Sequence, residues 1–396
     1  MKHELLKGAE ATLFLESEGR EINPKSPKDL RILLFDLLKQ KSVKKTKKAE
    51  KESVDEKALE KMNIPFVKNL LSLRKLLKIR DTYLAQFRRE NFKGKVHPFI
   101  DLHIPVSFRG SVSKPSIQNI PVRDEVAKKS VRSGVIPSPG NKLLLGDYSG
   151  IEVAIAACIT LDPVLIEYVS TPGSDMHRDE AMEIFLLEAD EVSEKLRFYT
   201  KNGFVFPEFY ESYYKNCAKN IWRECKSLPV REGVSVRRHL WDKGIVNYDD
   251  FVAHMKEIET RFWEKYSVFA EWKKESQFTN RKQGYVGMPF GFRRGGLLFP
   301  KEMVNTPIQG TAFHCLLWSL IKLNGLRKQE DWKAKLIMQI HDEMIWDTPP
   351  EEEEYIRETT TKVSCVDIRK EFDWIIVPLV IEFEVGEVDQ AWYYVK

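Results

Sequence analysis

Leucines recur at helical spacing in the first part of the chain. Ser26, Pro27 and Asp29 predict a helix start: a capping hydroxyl, a proline in the first turn and an acid near the positive end of the helix dipole. One apolar face follows, made of Leu30, Leu33, Leu34, Leu37 and Leu38. A second long helix is predicted from Pro65, with Val67, Leu70, Leu71, Leu77 and Leu84 on one face and Arg74, Lys75, Lys78 and Arg80 on the other.

Short apolar runs in the rest of the chain predict strands. They lie at residues 143–145, 336–340, 344–346 and 375–385. Asp342 and Glu343 lie at the tip of the hairpin between the second and third runs, and Asp147 follows the first run. We therefore expect these acids to lie at strand ends.

The section between the first strand and the hairpin, about residues 160–295, is mainly helical by pattern. Within it, residues 257–273 carry Ile258, Phe262, Phe269 and Trp272 at spacings that are compatible with one buried stripe, which favours core over a ligand site. An insertion of this size between two catalytic strands favours a functional subdomain over a loop. A further helix is predicted to begin at residues 351–354, after two prolines.

Length and composition indicate the class of protein only broadly. The 396 residues suggest two or three domains, and a formal net charge of +4, from 63 basic and 59 acidic residues, does not by itself identify a nucleic-acid partner. The five cysteines lack zinc-ligand spacing and predict reduced thiols in an intracellular protein. The most apolar run near the C-terminus, residues 374–381, is too short to span a bilayer, so we expect a soluble protein without a membrane partner.

Charge is concentrated in one short stretch, residues 39–51. It contains a single acid, Glu50, among Lys39, Lys41, Lys44, Lys45, Lys47, Lys48 and Lys51. Such a stretch suits nonspecific contact with phosphates, and it equally suits a solvated loop that contacts nothing.

Asp147 and Asp342 suggest the chemistry. Two strand-borne carboxylates suit hard divalent cations, because Mg²⁺ prefers oxygen ligands. Two ions about 3.5–4 Å apart can stabilise the entering and leaving oxygens of a phosphoryl displacement. Asp147 alone would more simply be read as a turn-capping acid.

Four segments resemble signatures of the polymerase region of family A DNA polymerases, the bacterial DNA polymerase I type. Within that family the resemblance is greatest to phage or phage-derived members. Two carry the acids: DYSGIE at 147–152 and QIHDE at 339–343. The others are residues 109–121, which end in SIQNIP, and NTPIQGTA at 305–312. They occur in the family's order and span most of the chain from about residue 20.

The resemblance implies an α+β fold with right-hand polymerase architecture: an antiparallel-sheet palm, helical fingers and a helical thumb. We assign residues 1–95 to a partial thumb with a basic tip loop, 96–160 and 296–396 to the palm, and 161–295 to the fingers. No exonuclease domain is expected, hence no proofreading or 5′ nuclease activity. We expect a monomer in the cytoplasm of a bacterium or a phage-infected cell, with an organelle not excluded.

The implied activity is template-directed addition of deoxynucleoside triphosphates to primer-template DNA. Asp147, Asp342 and the Tyr148 carbonyl would hold two Mg²⁺ ions, for which Mn²⁺ could substitute, with Glu343 beside them. One ion would lower the pKa of the primer 3′-hydroxyl, and the other would neutralise the triphosphate and the leaving pyrophosphate.

The implied nucleotide site involves further residues. Glu152 resembles the steric gate that lies against the sugar C2′ and excludes ribose. Arg197 and Lys201, four residues apart, would grip the triphosphate on one helix face, and Lys201 would also serve catalysis. His177 and Arg178 match a segment that approaches the phosphates.

One segment departs from the family pattern, which runs Arg, three residues, Lys, then Phe and Tyr-Gly at helical intervals. Here Pro207 should kink or shorten the helix, and the aromatics are shifted by one residue. We choose Phe206 with Tyr210 as the pair that stacks on the nascent base pair. Glu211 replaces the family glycine, which puts a carboxylate near the template entry.

The DNA site implied by the resemblance lines the minor groove, where polar groups can reach acceptors common to all base pairs. Its residues are Arg109, Gln118, Asn119, Asn305, Gln309 and His341, with Lys44, Lys45, Lys47 and Lys48 of the basic loop. Two alternatives stay open: a metal-dependent phosphodiesterase or nuclease, and a catalytically weak DNA-binding remnant. Use of an RNA template, hence reverse transcription, is also open.

Overall fold

The computed structural model describes residues 2–42, 45, 51–120 and 124–395. They form two compact units: Met1–Phe99 with Val112–Gly134, and Ile100–Ser111 with Val135–Lys396. Lys44, Lys47, Lys48 and Pro121 lie outside the described residues. The division into thumb, palm and fingers stays a prediction.

The first unit is helical around a leucine-rich core. Its helices are α1 (Lys2–Leu6), α2 (Ala9–Glu18), α3 (Pro27–Arg31), α4 (Glu56–Leu59), α5 (Pro65–Lys78), α6 (Ala85–Arg89) and α7 (Glu125–Arg132). The π-helical turns Ile32–Leu37 and Ile79–Leu84 extend α3 and α5. Both predicted helix starts are confirmed, and the Ser26 side chain accepts the backbone N–H of Asp29.

The basic face of α5 differs from the prediction. Arg74 is half-buried, and its guanidinium donates to the carbonyls of Val54 and Pro24 at 3.3 and 3.4 Å. Lys75 pairs with Asp124 at 2.7 Å within the same unit. Arg80 also pairs with Asp81, so three of the four cations have contacts within this unit, which a helical period alone cannot reveal.

The second unit contains a four-stranded antiparallel sheet in the order β10-β3-β9-β8. The strands of the chain are β1 (Phe99–Asp101), β2 (Ser111–Ser113), β3 (Lys142–Tyr148), β4 (Pro229–Arg231), β5 (Val234–Ser235), β6 (Tyr285–Gly287), β7 (Arg293–Gly295), β8 (Lys335–Ile340), β9 (Glu343–Thr348) and β10 (Ile381–Val385). The predicted hairpin is confirmed as β8 and β9. Asp147 in β3 lies opposite Glu343 on one side and Glu382 on the other.

The predicted strand at 375–385 is too long. Only Ile381–Val385 pairs with β3, and residues 375–380 have no strand structure. Pro378 explains the shorter strand, since proline offers no N–H to a ladder. Ile375 and Val377 are nevertheless buried, so their hydrophobicity reflects the core.

The helices of the second unit are α8 (Ile151–Thr160), α9 (Pro163–Ser170), α10 (Met176–Phe185), α11 (Glu194–Thr200), α12 (Phe206–Phe209), α13 (Tyr214–Glu224), α14 (Val236–Asp242), α15 (Tyr248–Lys265), α16 (Ser267–Gln283), α17 (Pro300–Gln329), α18 (Glu353–Thr361) and α19 (Ile368–Glu371). Residues 257–273 fall in two helices, because the helix is interrupted at Tyr266 between α15 and α16. The stripe is buried all the same: Ile258, Phe262 and Phe269 lie in the core. None of the described helices is long and apolar enough to cross a membrane.

Candidate active site

Asp147 and Asp342 meet at one edge of the sheet. His341 and Asp342 form the turn between β8 and β9, and His341 has a φ of 56°. The Gln339 side-chain amide donates to the His341 carbonyl and braces this turn. The backbone N–H of Tyr148 donates to the Asp342 carbonyl at 3.4 Å, which ties the end of β3 to the hairpin tip.

The electrostatics of this edge suit a divalent cation. The protein packed around Asp147 and the charge of Asp342 raise the pKa of Asp147 to about 7, while Lys201 opposes that rise. A bound cation would relieve this repulsion. Across the described ranges, no group of three or more His, Cys, Asp or Glu side chains is arranged to hold a metal. Binding of metal ions by Asp147 and Asp342 stays a prediction.

Sequence reasoning missed two more acids at this edge. Glu382 and Glu384 lie on β10, and their charges also raise the pKa of Asp147. An alternating strand pattern predicts that such residues share a face. It does not predict that β10 is the neighbour of β3.

Glu152 is the centre of a polar chain. Its carboxylate accepts the Tyr210 hydroxyl, and it also accepts the Gln309 side-chain amide at 3.3 Å. Arg109 donates to the Gln309 side-chain oxygen at 3.2 Å. Burial raises the pKa of Glu152 despite these donors. The structure thus joins Tyr210 and Glu152 to two residues predicted to contact DNA.

The shift of the aromatics by one residue coincides with a π-helical turn. Residues Lys201–Val205 form this turn, and the Phe206 N–H donates to the Lys201 carbonyl. An i→i+5 turn holds one residue more than an α turn, so it absorbs one extra residue. Phe206 and Tyr210 then stack with ring centroids 6.1 Å apart, and the Lys201 ammonium lies 5.4 Å from the Phe206 centroid.

The residues predicted to meet phosphates have protein partners in this structure. Arg197 donates to Asp175, which also caps α10. His177 is buried, and its pKa is lowered to about 3 by burial and by the charges of Lys201 and Arg197. Arg178 pairs with Asp179 at 2.9 Å. Their binding of phosphates stays a prediction.

The residues predicted to line the minor groove fall in both units. Burial lowers the pKa of His341, and the nearby positive charges of Arg109 and Lys201 lower it further. Asn305 lies four residues before Gln309 on α17. Gln118 and Asn119 belong to the first unit, where the Asn119 amide donates to Ser116 at 2.6 Å. Lys45 is exposed, and its backbone forms an isolated antiparallel β-bridge with the backbone of Glu52. Its contact with DNA stays a prediction.

Glu211 stands in an unusual conformation. Its φ of 64° lies in the left-handed region that favours glycine, which agrees with the glycine of the family pattern. Its carboxylate lies 3.4 Å from the ammonium of Lys273. Sequence reasoning did not identify Lys273, because a lysine in a helix is ordinarily exposed.

The chain belongs to DNA polymerase family A. The sequence pattern of that family matches residues 3–224 and 251–393. The four signatures noted in the sequence lie within these matched parts.

Named relatives agree with this assignment. The chain is 29% identical over 417 residues to the DNA polymerase I of Bacillus caldotenax, covering 99% of this chain and 42% of the relative. It is 30% identical to that of Lactococcus lactis subsp. lactis, with 96% and 40% covered. The thermostable DNA polymerase I of Thermus aquaticus is 27% identical, with 96% and 44% covered. The chain therefore spans about two fifths of the length of these relatives.

A solved structure is similar over nearly the whole chain. It is the POL domain of Pol1 from M. smegmatis in complex with DNA primer-template and dNTP, with a TM-score of 0.75 and 23% identity. The match covers 99% of this chain and 65% of that one. The predicted α+β fold of a family A polymerase region is thereby confirmed.

Proposed function

We propose that this chain catalyses template-directed addition of deoxynucleotides to a primer 3′-hydroxyl. The observation that carries the proposal is the meeting of Asp147 and Asp342 at one sheet edge in a chain of family A. The residues of the Glu152–Tyr210 contact and of the Lys201–Phe206 contact lie between these two acids in the sequence. Neither contact is required by a simple phosphodiesterase.

The carboxylates Asp147 and Asp342 would hold two Mg²⁺ ions together with the Tyr148 carbonyl. The charge of Asp342 raises the pKa of Asp147, and this supports the role because a bound cation would offset that repulsion. When bound, the ions would lower the pKa of the primer hydroxyl and neutralise the triphosphate. The β3 and β9 backbone would keep both carboxylates at fixed positions.

The triphosphate would lie against Lys201. This ammonium is close enough to the acids to lower the pKa of Asp147. Phe206 limits its freedom by a contact between the ring and the cation. Arg197 would add a second cation if the nucleotide competes with Asp175 for its guanidinium.

The sugar of the incoming nucleotide would lie against Glu152. The Tyr210 hydroxyl and the Gln309 amide hold this carboxylate in one position. A fixed carboxylate would exclude a 2′-hydroxyl sterically, so dNTPs would be preferred. Arg109 and Gln309, joined to the same chain of hydrogen bonds, would contact the minor groove of primer-template DNA.

Primer extension tests the proposal. The purified protein is incubated with a labelled primer on a DNA template, Mg²⁺ and dNTPs, beside Asp342→Asn and the control Asp373→Asn, whose aspartate is exposed. We expect extension by the parent protein and the control, and a loss of about a thousandfold in Asp342→Asn. Duplex binding is measured by fluorescence anisotropy in the same samples.

Other outcomes point to the alternatives. Duplex binding without extension would support a DNA-binding remnant, and primer shortening that requires Asp342 would support a nuclease. A mismatched primer incubated without dNTPs should keep its length, because proofreading is not expected. Either of the first two results would contradict the proposed synthesis.

A further inference from the structure

Tyr210 lies on a short turn whose flanking residues both contact one lysine, Lys273. The Lys273 ammonium donates to the Glu208 carbonyl at 2.7 Å and lies 3.4 Å from the Glu211 carboxylate. Tyr210 stands between these two anchored residues. The same turn is closed by backbone bonds from Tyr210 and Ser212 to the Pro207 carbonyl, at 3.2 and 2.8 Å.

Lys273 is unusually buried for a lysine. Its side chain is 11% exposed, and its ammonium lies 4.1 Å from the centroid of the Trp263 ring. Burying an ammonium costs free energy unless it is paired. Here the pairing is with the turn itself: a carbonyl and a carboxylate on either side of Tyr210.

The turn also has a second buried layer. The Glu208 carboxylate accepts the Trp263 indole N–H at 3.0 Å and the Cys217 thiol at 3.3 Å. Phe209 packs its ring against Phe269, with centroids 4.8 Å apart. The residues on both sides of Tyr210 are therefore fixed to α15 and α16, while the Tyr210 side chain points the other way, to Glu152.

The backbone conformation of Glu211 needs the contacts that anchor this turn. A non-glycine residue at a φ of 64° is strained, and such conformations persist where surrounding contacts hold them. The ion pair with Lys273 supplies such a contact. Without it, the turn could relax and move Tyr210 with it.

We propose that Lys273 is a positioning residue for sugar selection: it holds the turn from Glu208 to Glu211 so that the Tyr210 hydroxyl stays on Glu152. The inference rests on the proposed polymerase function, since sugar selection has meaning only there. Lys273 contacts neither Glu152 nor the carboxylates Asp147 and Asp342 in the described contacts of this turn.

The test compares dNTP with rNTP incorporation. The quantity is the ratio of kcat/KM for dATP over ATP on one primer-template, measured for the parent, Lys273→Met, Lys273→Arg and Lys274→Met. Methionine is an unbranched side chain of similar length and removes the charge. Lys274 is a matched control, because it is the next residue on α16 and its side chain is 74% exposed.

We expect Lys273→Met to lower the dATP preference about fivefold to tenfold, with Lys273→Arg partly restoring it and Lys274→Met unchanged. The effect must pass through Tyr210. In a Tyr210→Phe background, Lys273→Met should therefore change the ratio by less than about twofold. A purely structural role would lower both incorporation rates equally and leave the ratio unchanged, which would overturn the inference.

A second measurement does not need activity. In protein labelled with [ζ-¹³C]tyrosine, Tyr210 is the resonance that Tyr210→Phe removes. We expect that resonance to shift in Lys273→Met and to stay in place in Lys274→Met. If the parent protein does not extend primers, the proposed function fails while this spectrum still decides whether Lys273 positions Tyr210; an unmoved resonance contradicts the positioning.

Discussion

The carboxylate edge and the helical segment from Arg197 to Glu211 are built in opposite ways. Asp147 lies in β3 and Asp342 lies in the turn between β8 and β9, and the backbone N–H of Tyr148 donates to the Asp342 carbonyl. Tyr210 is placed by a π turn before it and by the side chain of Lys273. The first region is held by backbone pairing between strands, and the second is held by contacts of buried side chains.

This difference predicts how each region responds to change. At the carboxylate edge, only the residues that touch the reacting groups should matter for chemistry. In the helical segment, changes in residues that never reach the substrate should alter the outcome, because buried polar groups transmit their placement to Tyr210.

The largest expected effect is at the carboxylate edge. Asp147→Asn alone should reduce primer extension about a thousandfold, because the remaining carboxylate cannot hold two divalent cations. If the two acids act as one unit, Asp147→Asn combined with Asp342→Asn should cost no more than about tenfold beyond either single change. Single-turnover extension at saturating Mg²⁺ measures both.

The control for this prediction is a strand acid that serves structure. Asp347 on β9 accepts the backbone N–H and hydroxyl of Ser138, at 3.0 and 2.6 Å. Asp347→Asn should lower the melting temperature and change the extension rate of the folded protein little. A thousandfold loss of extension in folded Asp347→Asn would mean that acids away from the reacting groups also control the chemistry at this edge.

The carboxylate edge is the part that sequence could predict. Short apolar runs predicted β3, β8 and β9, and the acids at their ends followed from strand geometry. The strand predicted at 375–385 was too long, because the sequence does not show which residues pair with a neighbouring strand. The apolar run at 375–380 looked like strand, although Ile375 and Val377 are buried without joining the sheet.

The next effect concerns the π turn. Because the turn holds one extra residue, deleting Asn202 should leave Phe206 and Tyr210 on the face that Lys201 occupies. Pro207→Ala must accompany the deletion, since a proline ring clashes with the carbonyl four residues earlier in a regular helix. We expect this variant to extend primers within about tenfold of Pro207→Ala alone.

Deletion of Phe198, from the regular helix α11, is the matched comparison. Phe198 is exposed like Asn202, but its removal rotates the preceding helix, with Arg197, by about 100° relative to Phe206. Extension should fall about a hundredfold or more. Equal losses for the two deletions, measured at matched folded fractions by circular dichroism, would show that the π turn does not absorb the extra residue.

The π turn and the buried contacts of the helical segment could not be predicted from the sequence. Pro207 signalled a perturbed helix, and the shift of the aromatics signalled an extra residue, but neither specified a π turn. Buried ionisable residues such as Glu208 and Lys273 follow no period that distinguishes them from exposed ones. Their partners come from α12, α13, α15 and α16, so only the folded chain brings them together.

The smallest effect is the pH dependence of stability at Glu208. Burial raises the pKa of this carboxyl to about 7, from an ordinary value of 4.5. The folded state therefore keeps a proton that the unfolded state releases, and stability falls as pH rises from about 4.5 to about 7. Glu208→Gln cannot ionise, so it should be more stable than the parent above pH 7, by on the order of 2 kcal/mol, and similar to it near pH 4.

Urea unfolding followed by tryptophan fluorescence at several pH values measures this difference. Glu271→Gln is the control, since Glu271 is 61% exposed and pairs only weakly with Lys274 on the same helix. Its stability relative to the parent should change little between pH 5 and pH 8. If Glu208→Gln gains no stability at pH 8, the carboxylate form must be compensated by its neighbours: the Trp263 indole first, then the Cys217 thiol and the Lys273 ammonium. The buried layer beneath Tyr210 would then be held by charge, and the helical segment would respond to ionic substitutions much as the carboxylate edge does.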